Sequence, residues 1–392
     1  MEVNSKPFAK QTTKLPPCCL KFHPLDNRIV FVGTYKLDEV NKLKYGSIEV
    51  YEYVEKSSKD NQEYLNALDL VKAIESPTAI LDLQFSPFDD NLFATGHSNG
   101  VIIFWETTLG QSPSDIQINK LVEYSVFEDP TNLITSIKFS DTLKDRILIT
   151  STFGKTVVLK LNNSSISTES TIINTSSVEN SPLPISHSIE SWIGNFGNFE
   201  LSNVVFTGGD DLNLISHDIR SNDVIFQTAN IHQAGITSIL TATPGDHNGN
   251  GCWKSNGNHF QLATGGYDDT LKLSDLRYLP GSEGQGSTLL PYPPRARNEK
   301  NLGGGVWRLT PFKNTADKLM VCCMYDGAKI VTADDGSANE DVIKIDRVFR
   351  KNHTSMVYGG DTSLKDDLMA TCSFYDCSLQ IWSPEIVDEY SN

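Results

Sequence analysis

A short phrase returns seven times along this chain: an alternating apolar strand, a turn of small residues, then a second strand. It reads "RIVFVGTY" (28–35), "NLFATGHS" (91–98), "RILITSTF" (146–153), "NVVFTGGD" (203–210), "FQLATGGY" (260–267), "KLMVCCMY" (318–325) and "DLMATCSF" (367–374). Apolar residues at every second position, rich in Val, Ile, Phe and Tyr, suit a pleated strand packed through alternate side chains. Each phrase leads into another strand, as in "GVIIFWET", "TLKLSDLR" and "SLQIWSP", and most follow an inner-strand candidate such as "AILDLQFSP" or "GVWRLTP". One such unit cannot bury its own faces, so units at roughly 50- to 60-residue spacing must stack on one another. The reading is an all-β chain of seven four-stranded blades in one domain. The blades are predicted over about 15–53, 79–107, 134–161, 188–228, 232–278, 303–334 and 353–384. A strand from about residues 6–14 is predicted to complete the last blade and remove its free edge.

The segment "FQLATGGYDDTLKLSDLR" resembles a blade of the WD-repeat propellers. Thr264 and Asp268 stand at its hydroxyl and turn-carboxylate positions, and His232, in "IHQAG", at the loop histidine. Trp105 and Trp382 keep the tryptophan position, whereas His217 and Ser274 replace it. The predicted fold class is a seven-bladed WD-repeat β-propeller. Residues 162–188, rich in Ser, Thr and Asn, read as a disordered loop, and 244–258 and 279–301 as Gly/Pro-rich excursions. Residues 54–78, with "YLNALDLVKAIES", are the one stretch with helical character.

A net charge of −16 argues against a general nucleic-acid binder, which needs a basic footprint to displace counterions. It suits a basic partner or simple solubility. No apolar run approaches the roughly 20 residues that span a bilayer, and the N-terminus carries no apolar leader, so a cytoplasmic chain without membrane insertion is expected. The 7 cysteines lie in strand-like segments, which suggests buried, reduced thiols rather than a disulfide framework. Without a C-x-x-C pair or an H-E-x-x-H run, no metal and no cofactor is expected.

"GHSNG" (96–100) matches the G-x-S-x-G of serine hydrolases, but that elbow joins a strand to a helix. Ser98 sits between two predicted strands and reads as a turn residue. Chemistry is more plausible where the loops into the inner strands and the second-to-third turns share one face around the channel. His232, "GGGVWR" (Gly303 to Arg308) and "HTSMVYGGD" (His353 to Asp361) belong to the loops. Asp210 and Asp211, Tyr267 with Asp268, Tyr325 with Asp326, and Tyr375 with Asp376 belong to the turns. Both histidines have a structural reading, ordering their blades, beside a functional one in which a carboxylate such as Asp361 orients a general base. Gly303, Gly304 and Gly305 allow positive φ and would leave amides for an anion. Strict alternation lets only one of Trp307 and Arg308 face the channel.

Taken in order, "LGGGVWR", "CCMYDGAKIVT", "HTSMVYGGD" and "ATCSFYDCSLQIW" resemble a branch of the WD-repeat proteins, the diphthine methyl ester esterases of diphthamide biosynthesis. The resemblance runs from about residue 14 to 383 and is strongest after 200. Thr362 departs from it, standing where that pattern has tryptophan. It implies an enzyme, a carboxylic ester hydrolase that removes the methyl ester from the modified histidine of translation elongation factor 2. Other enzymes of the same pathway become candidate partners. The resemblance carries over no nucleophile or base. The candidates from the residues are His353, His232, Asp361 and Arg308 for catalysis, with the 303–305 glycines as oxyanion donors. The side chain implied as substrate carries a trimethylammonium close to its ester, which calls for aromatic faces and carboxylates. Trp307, Tyr325, Tyr358 and Tyr375, with Asp326 and Asp376, supply them. The alternative is a non-catalytic scaffold that binds elongation factor 2 or other proteins through the same face.

Overall fold

The structure, a computed structural model, describes residues 7–56, 67–162, 166–167, 170–171, 178–244, 253, 259–277, 294, 296–333 and 342–384. Among the described residues seven antiparallel sheets of four or more strands follow one another along the chain, six of them built from consecutive strands, beside one two-stranded hairpin at Ile166–Ser167 and Ser170–Thr171. Their innermost strands are Pro17–His23, Ile80–Ser86, Ile134–Phe139, Ser191–Phe196, Ile236–Thr241, Val306–Pro311 and Val357–Thr362. Each packs against the innermost strand of the next blade, and the seventh against the first, so the sheets close into a seven-bladed propeller. Closure uses Ala9–Thr12, paired antiparallel with the last strand from Ala9↔Ile381 to Thr12↔Ser378. The two ends of the chain thus share one blade, which closes the ring.

The core lies between the blades. Each second strand is buried along its apolar run: Ile29 to Val32, Ile147 to Ile149 and Leu319 to Cys323 are all at most 1 % exposed. Polar side chains then join neighbouring inner strands. Asp82 accepts from the Ile137 amide (2.9 Å), Asn195 donates to the Ile239 carbonyl (3.0 Å), and Thr310 donates to the Gly360 carbonyl (3.0 Å). Thr237 and Ser238 both donate to the Val306 carbonyl, and Asp361 accepts from the Phe22 amide (2.9 Å). Blades must approach closely for these bonds to form. At Gly265 an added methyl would press into Val306 Cγ1 and Ser238 Oγ of the adjoining strands. Gly265→Ala is therefore expected to destabilise the propeller by about 1–3 kcal/mol, read from its denaturation midpoint. An unchanged midpoint would mean that blades 5 and 6 are not in that contact.

Three expectations need correction. Ala67–Ser76, inside the stretch with helical character, is a strand paired along Leu43–Val54. Its residues are largely exposed, so pairing with the neighbouring strand, rather than its own periodicity, fixes its conformation. Val178–Pro182 lies in the segment read as a disordered loop, yet it is the outer strand of blade 3. Ala296–Asn301 is likewise the outer strand of blade 5. Most of the remaining loop and excursions fall outside the described residues.

Candidate functional site

In every blade the inner strand carries one extra residue just after its start. The register shifts between Pro17 and Cys19, Ile80 and Asp82, Ile134 and Ser136, and Ser191 and Ile193. It shifts again between Ile236 and Ser238, Val306 and Arg308, and Val357 and Gly359. A β-bulge re-aims the extra side chain and breaks the strict alternation of the strand. The bulged residues are Cys18, Leu81, Thr135, Trp192, Thr237, Trp307 and Tyr358. Of Trp307 and Arg308, only Arg308 lines the channel cavity, and Trp307 joins the aromatic rings at its mouth. The Trp307 ring meets Trp192 of blade 4 (5.7 Å between centroids) and Tyr358 of blade 7 (5.1 Å), bridging over the start of blade 5. Arg308 reaches across the channel to Asp82 of blade 2, with Nη2 donating to Oδ1 at 3.2 Å.

The aromatic contacts continue around the mouth. Tyr267, in the second-to-third turn of blade 5, lies 6.0 Å from Trp307 and 6.5 Å from Trp192. Tyr358 meets Phe374 at 5.5 Å, which in turn meets Tyr375 at 5.0 Å and Tyr35 at 6.0 Å. Burial first, and the nearby Asp210 carboxylate second, push the Tyr267 phenol well above its ordinary range. Burial does the same to Tyr358, so both rings stay neutral at physiological pH. Asp210 and Glu190 both act on Tyr267. Neither carboxylate has a side-chain hydrogen bond or ion pair among the described residues.

The candidate histidines lie elsewhere. His232 is buried, with Nδ1–H donating to Asp268 (3.0 Å) and Nε2 accepting from the Thr264 hydroxyl (2.8 Å). His353 sits in a relay: Trp382 Nε1 donates to Thr371 Oγ1 (2.7 Å), whose hydroxyl donates to His353 Nε2 (2.8 Å). Its Nδ1–H then donates to Ser373 Oγ (2.7 Å), and Ser373 to Asp376 (2.6 Å). Both rings have both nitrogens engaged inside their blades, and burial lowers His353 to about 4. Blade 4 repeats the device with His187, bonded to Asp211 (2.8 Å) and Thr207 (3.0 Å). Blade 2 repeats it with His97, Thr95 and Trp105. Asp361 is not beside His353; it joins blades 7 and 1 through the Phe22 amide and Lys21 (3.5 Å). Ser98 is buried in a strand–turn–strand corner, where its hydroxyl accepts from the Ala79 amide at 3.0 Å.

The glycine loop is a turn with two amides already used. Gly303 donates to Asn301 Oδ1 (2.9 Å) and Gly305 to Asp269 Oδ1 (2.5 Å). Its positive φ values, 72°, 116° and 49°, seat the chain against the Tyr325–Asp326 turn. Asp326 pairs with Lys329 (2.7 Å) and Arg350, and is thereby neutralised. Asp376 is occupied by Ser373 and Thr354; burial would raise its carboxyl, but these hydrogen bonds outweigh it and hold it low. Tyr325 and Tyr375 stand exposed on either side of a hollow of about 490 Å³ between blades 6 and 7. Burial pushes the Cys18 and Cys323 thiols up to about 12 and raises Cys19, Cys322 and Cys372 too, so none is poised as a thiolate nucleophile. Among the described residues no three His, Cys, Asp or Glu gather as metal ligands, and no helix is long and apolar enough to cross a membrane.

Of the candidates, the structure brings together Trp307, Tyr358 and, through Phe374, Tyr375. It joins to them Tyr267 and Asp210, which the sequence placed among the turns of this face, and adds Trp192 and Glu190. Trp192 had a signal in the sequence, because "SWIGNF" aligns with "VWRLTP" as the start of an inner strand and places Trp192 beside Trp307.

Seven blades in a closed ring, four of them carrying a His–hydroxyl relay, define a WD-repeat β-propeller. A solved structure described as "Crystal Structure of Mitotic Checkpoint Complex" matches with a TM-score of 0.63, over 97% of this chain and 92% of that one. At 14% identity that likeness concerns the fold alone. The chain belongs to the diphthine methyltransferase family. It is 35% identical to the Saccharomyces cerevisiae diphthine methyltransferase over 94% of this chain and 96% of that protein. It is 29% identical to the Schizosaccharomyces pombe protein of the same name, over 96% and 97% of the two chains. A Dictyostelium discoideum diphthine methyltransferase homolog is 24% identical. No family model matches the chain. The relatives correct the expectation of an ester hydrolase: their name describes methyl transfer, and the hydrolase assignment is withdrawn on that finding.

Proposed function

We propose that this chain acts in diphthamide biosynthesis, on the diphthine side chain of translation elongation factor 2, at a step that moves a methyl group. The family relationship over nearly the whole chain supports the pathway. One observation carries the site: Trp192, Tyr267, Trp307 and Tyr358 form a continuous aromatic wall beside Asp210 and Glu190. A trimethylammonium group has no N–H to donate. It is held by ring faces and by the field of nearby carboxylates. In this reading Asp210 and Glu190 take the part first expected of Asp326 and Asp376, which are committed to other partners.

The test is the intact mass of elongation factor 2 bearing diphthine, incubated with this chain, with and without a sulfonium methyl donor. A mass change of one methyl group, with turnover and dependence on Trp192 and Trp307, is expected. Stable co-elution with no mass change would replace the proposal with the scaffold alternative.

A further inference from the structure

We infer that Arg308 receives the carboxyl group of a zwitterionic onium ligand whose quaternary nitrogen lies against the aromatic mouth. The inference rests on the reading above and extends it to the other end of the ligand. Arg308 follows Trp307 directly, so it lines the channel cavity one residue beyond the aromatic mouth. Its side chain is 19% exposed and that of Asp82, its partner across the channel, 2%.

Asp82 does not depend on that contact. Its Oδ2 accepts from the Ile137 amide (2.9 Å), and its Oδ1 from the Leu83 amide (3.0 Å) and Gln84 Nε2 (3.2 Å). Arg308, by contrast, has Asp82 as its one hydrogen-bond partner among the described residues. A guanidinium offers five N–H donors in a planar fork that matches a carboxylate. Its remaining N–H groups are not sealed inside the protein but lie on the channel cavity, where an oxygen ligand can reach them.

The place is right for one. A cavity of about 850 Å³ fills the channel, and its lining starts at the residues that follow the aromatic bulges: Ile193, Arg308 and Gly359. Arg308 therefore stands between the aromatic mouth and the channel interior. Cys18, the bulged residue of blade 1, lies within electrostatic reach of Arg308 and Asp82 on one side and of Tyr35 and Tyr358 on the other. Two further ion pairs lie on the cavity wall, Lys21 with Asp361 and Lys138 with Asp141.

The test uses the full chain and three small probes, followed by tryptophan fluorescence and calorimetry: trimethylglycine, choline, and 3,3-dimethylbutanol as the uncharged isostere of choline. Trimethylglycine is expected to bind about tenfold more tightly than choline, the value of one charge-assisted hydrogen bond. Arg308→Gln should abolish that preference and leave choline affinity unchanged. Arg308→Lys should restore only part of it, because the fork is lost while the charge remains. The melting temperature of each variant checks the fold, which Asp82 supports through its three other donors. A preference that survives Arg308→Gln, or none in the parent chain, overturns the inference while onium binding stands. Equal binding of choline and its uncharged isostere, or no binding of any probe, overturns the aromatic-cation reading itself.

Discussion

Trp307→Ala is expected to weaken binding of diphthine-bearing elongation factor 2 by about ten- to thirtyfold, measured as Kd with the purified full chain. The indole stands at the centre of the wall, in contact with Trp192, Tyr267 and Tyr358. Truncation removes its own face and loosens three neighbours, and a partly desolvated cation–π contact is worth about 1–2 kcal/mol. The ring is only half-buried, so the loss of stability should be about 2 kcal/mol, below that of a fully buried tryptophan. Trp307→Phe keeps a ring face and should lose less than half of the effect. Asp210→Asn tests the charge separately, since that carboxylate forms no structural hydrogen bond among the described residues. If Trp307→Ala left Kd unchanged, the aromatic wall would be architecture and the partner would dock elsewhere.

A second large effect is expected on acidification. Burial lowers His97 and His353 to about 4, and His23 and His217 to about 4 as well. In the unfolded chain these imidazoles titrate near 6.5, so between about 6.5 and 4 the unfolded state binds more protons. The stability tied to each neutral histidine is present above about 6.5 and is lost as pH falls toward 4, up to about 2–3 kcal/mol apiece. The carboxylates act in the same direction lower down. In Asp211 and Asp268 burial alone would raise the carboxyl, but hydrogen bonds from His187 and His232, with others, hold both well below the usual range. Their contribution is present above about 4 and disappears as pH falls further. Urea midpoints should therefore drop steadily from pH 7 to pH 4. His353→Gln should be less stable at pH 7, through the broken relay, yet show a shallower slope. An equal slope in parent and variant would refute the assignment of His353 as a buried neutral relay residue.

Much of the fold was legible because period-2 alternation and a recurring phrase are local signals. The second strands, from "RIVFVGT" to "DLMATCS", form where the pattern places them, and the closing strand appears at Ala9–Thr12. The outer strands were poorly legible. Ala67–Ser76 and Val178–Pro182 each bury a single residue, Leu68 and Val178, so hydrophobicity marks them weakly and pairing decides them. The site was half legible. Trp307 and Tyr358 were found because glycines and aromatics gather around them. Trp192 was missed because no turn signal precedes it, and His232 and His353 were placed on the face although each closes a buried relay.

Composition and repetition by themselves determine a seven-bladed all-β propeller, because each blade must bury its apolar phrase against the next. Whether Trp307 or Arg308 turns to the channel was not in the sequence, since alternation permits only one. The tertiary structure puts Arg308 on the channel cavity and Trp307, the bulged residue, among the aromatic rings at its mouth, and closure of the ring brings Arg308 to Asp82, 226 positions away. That juxtaposition exists only once the blades have met, and so it belongs to the tertiary structure alone.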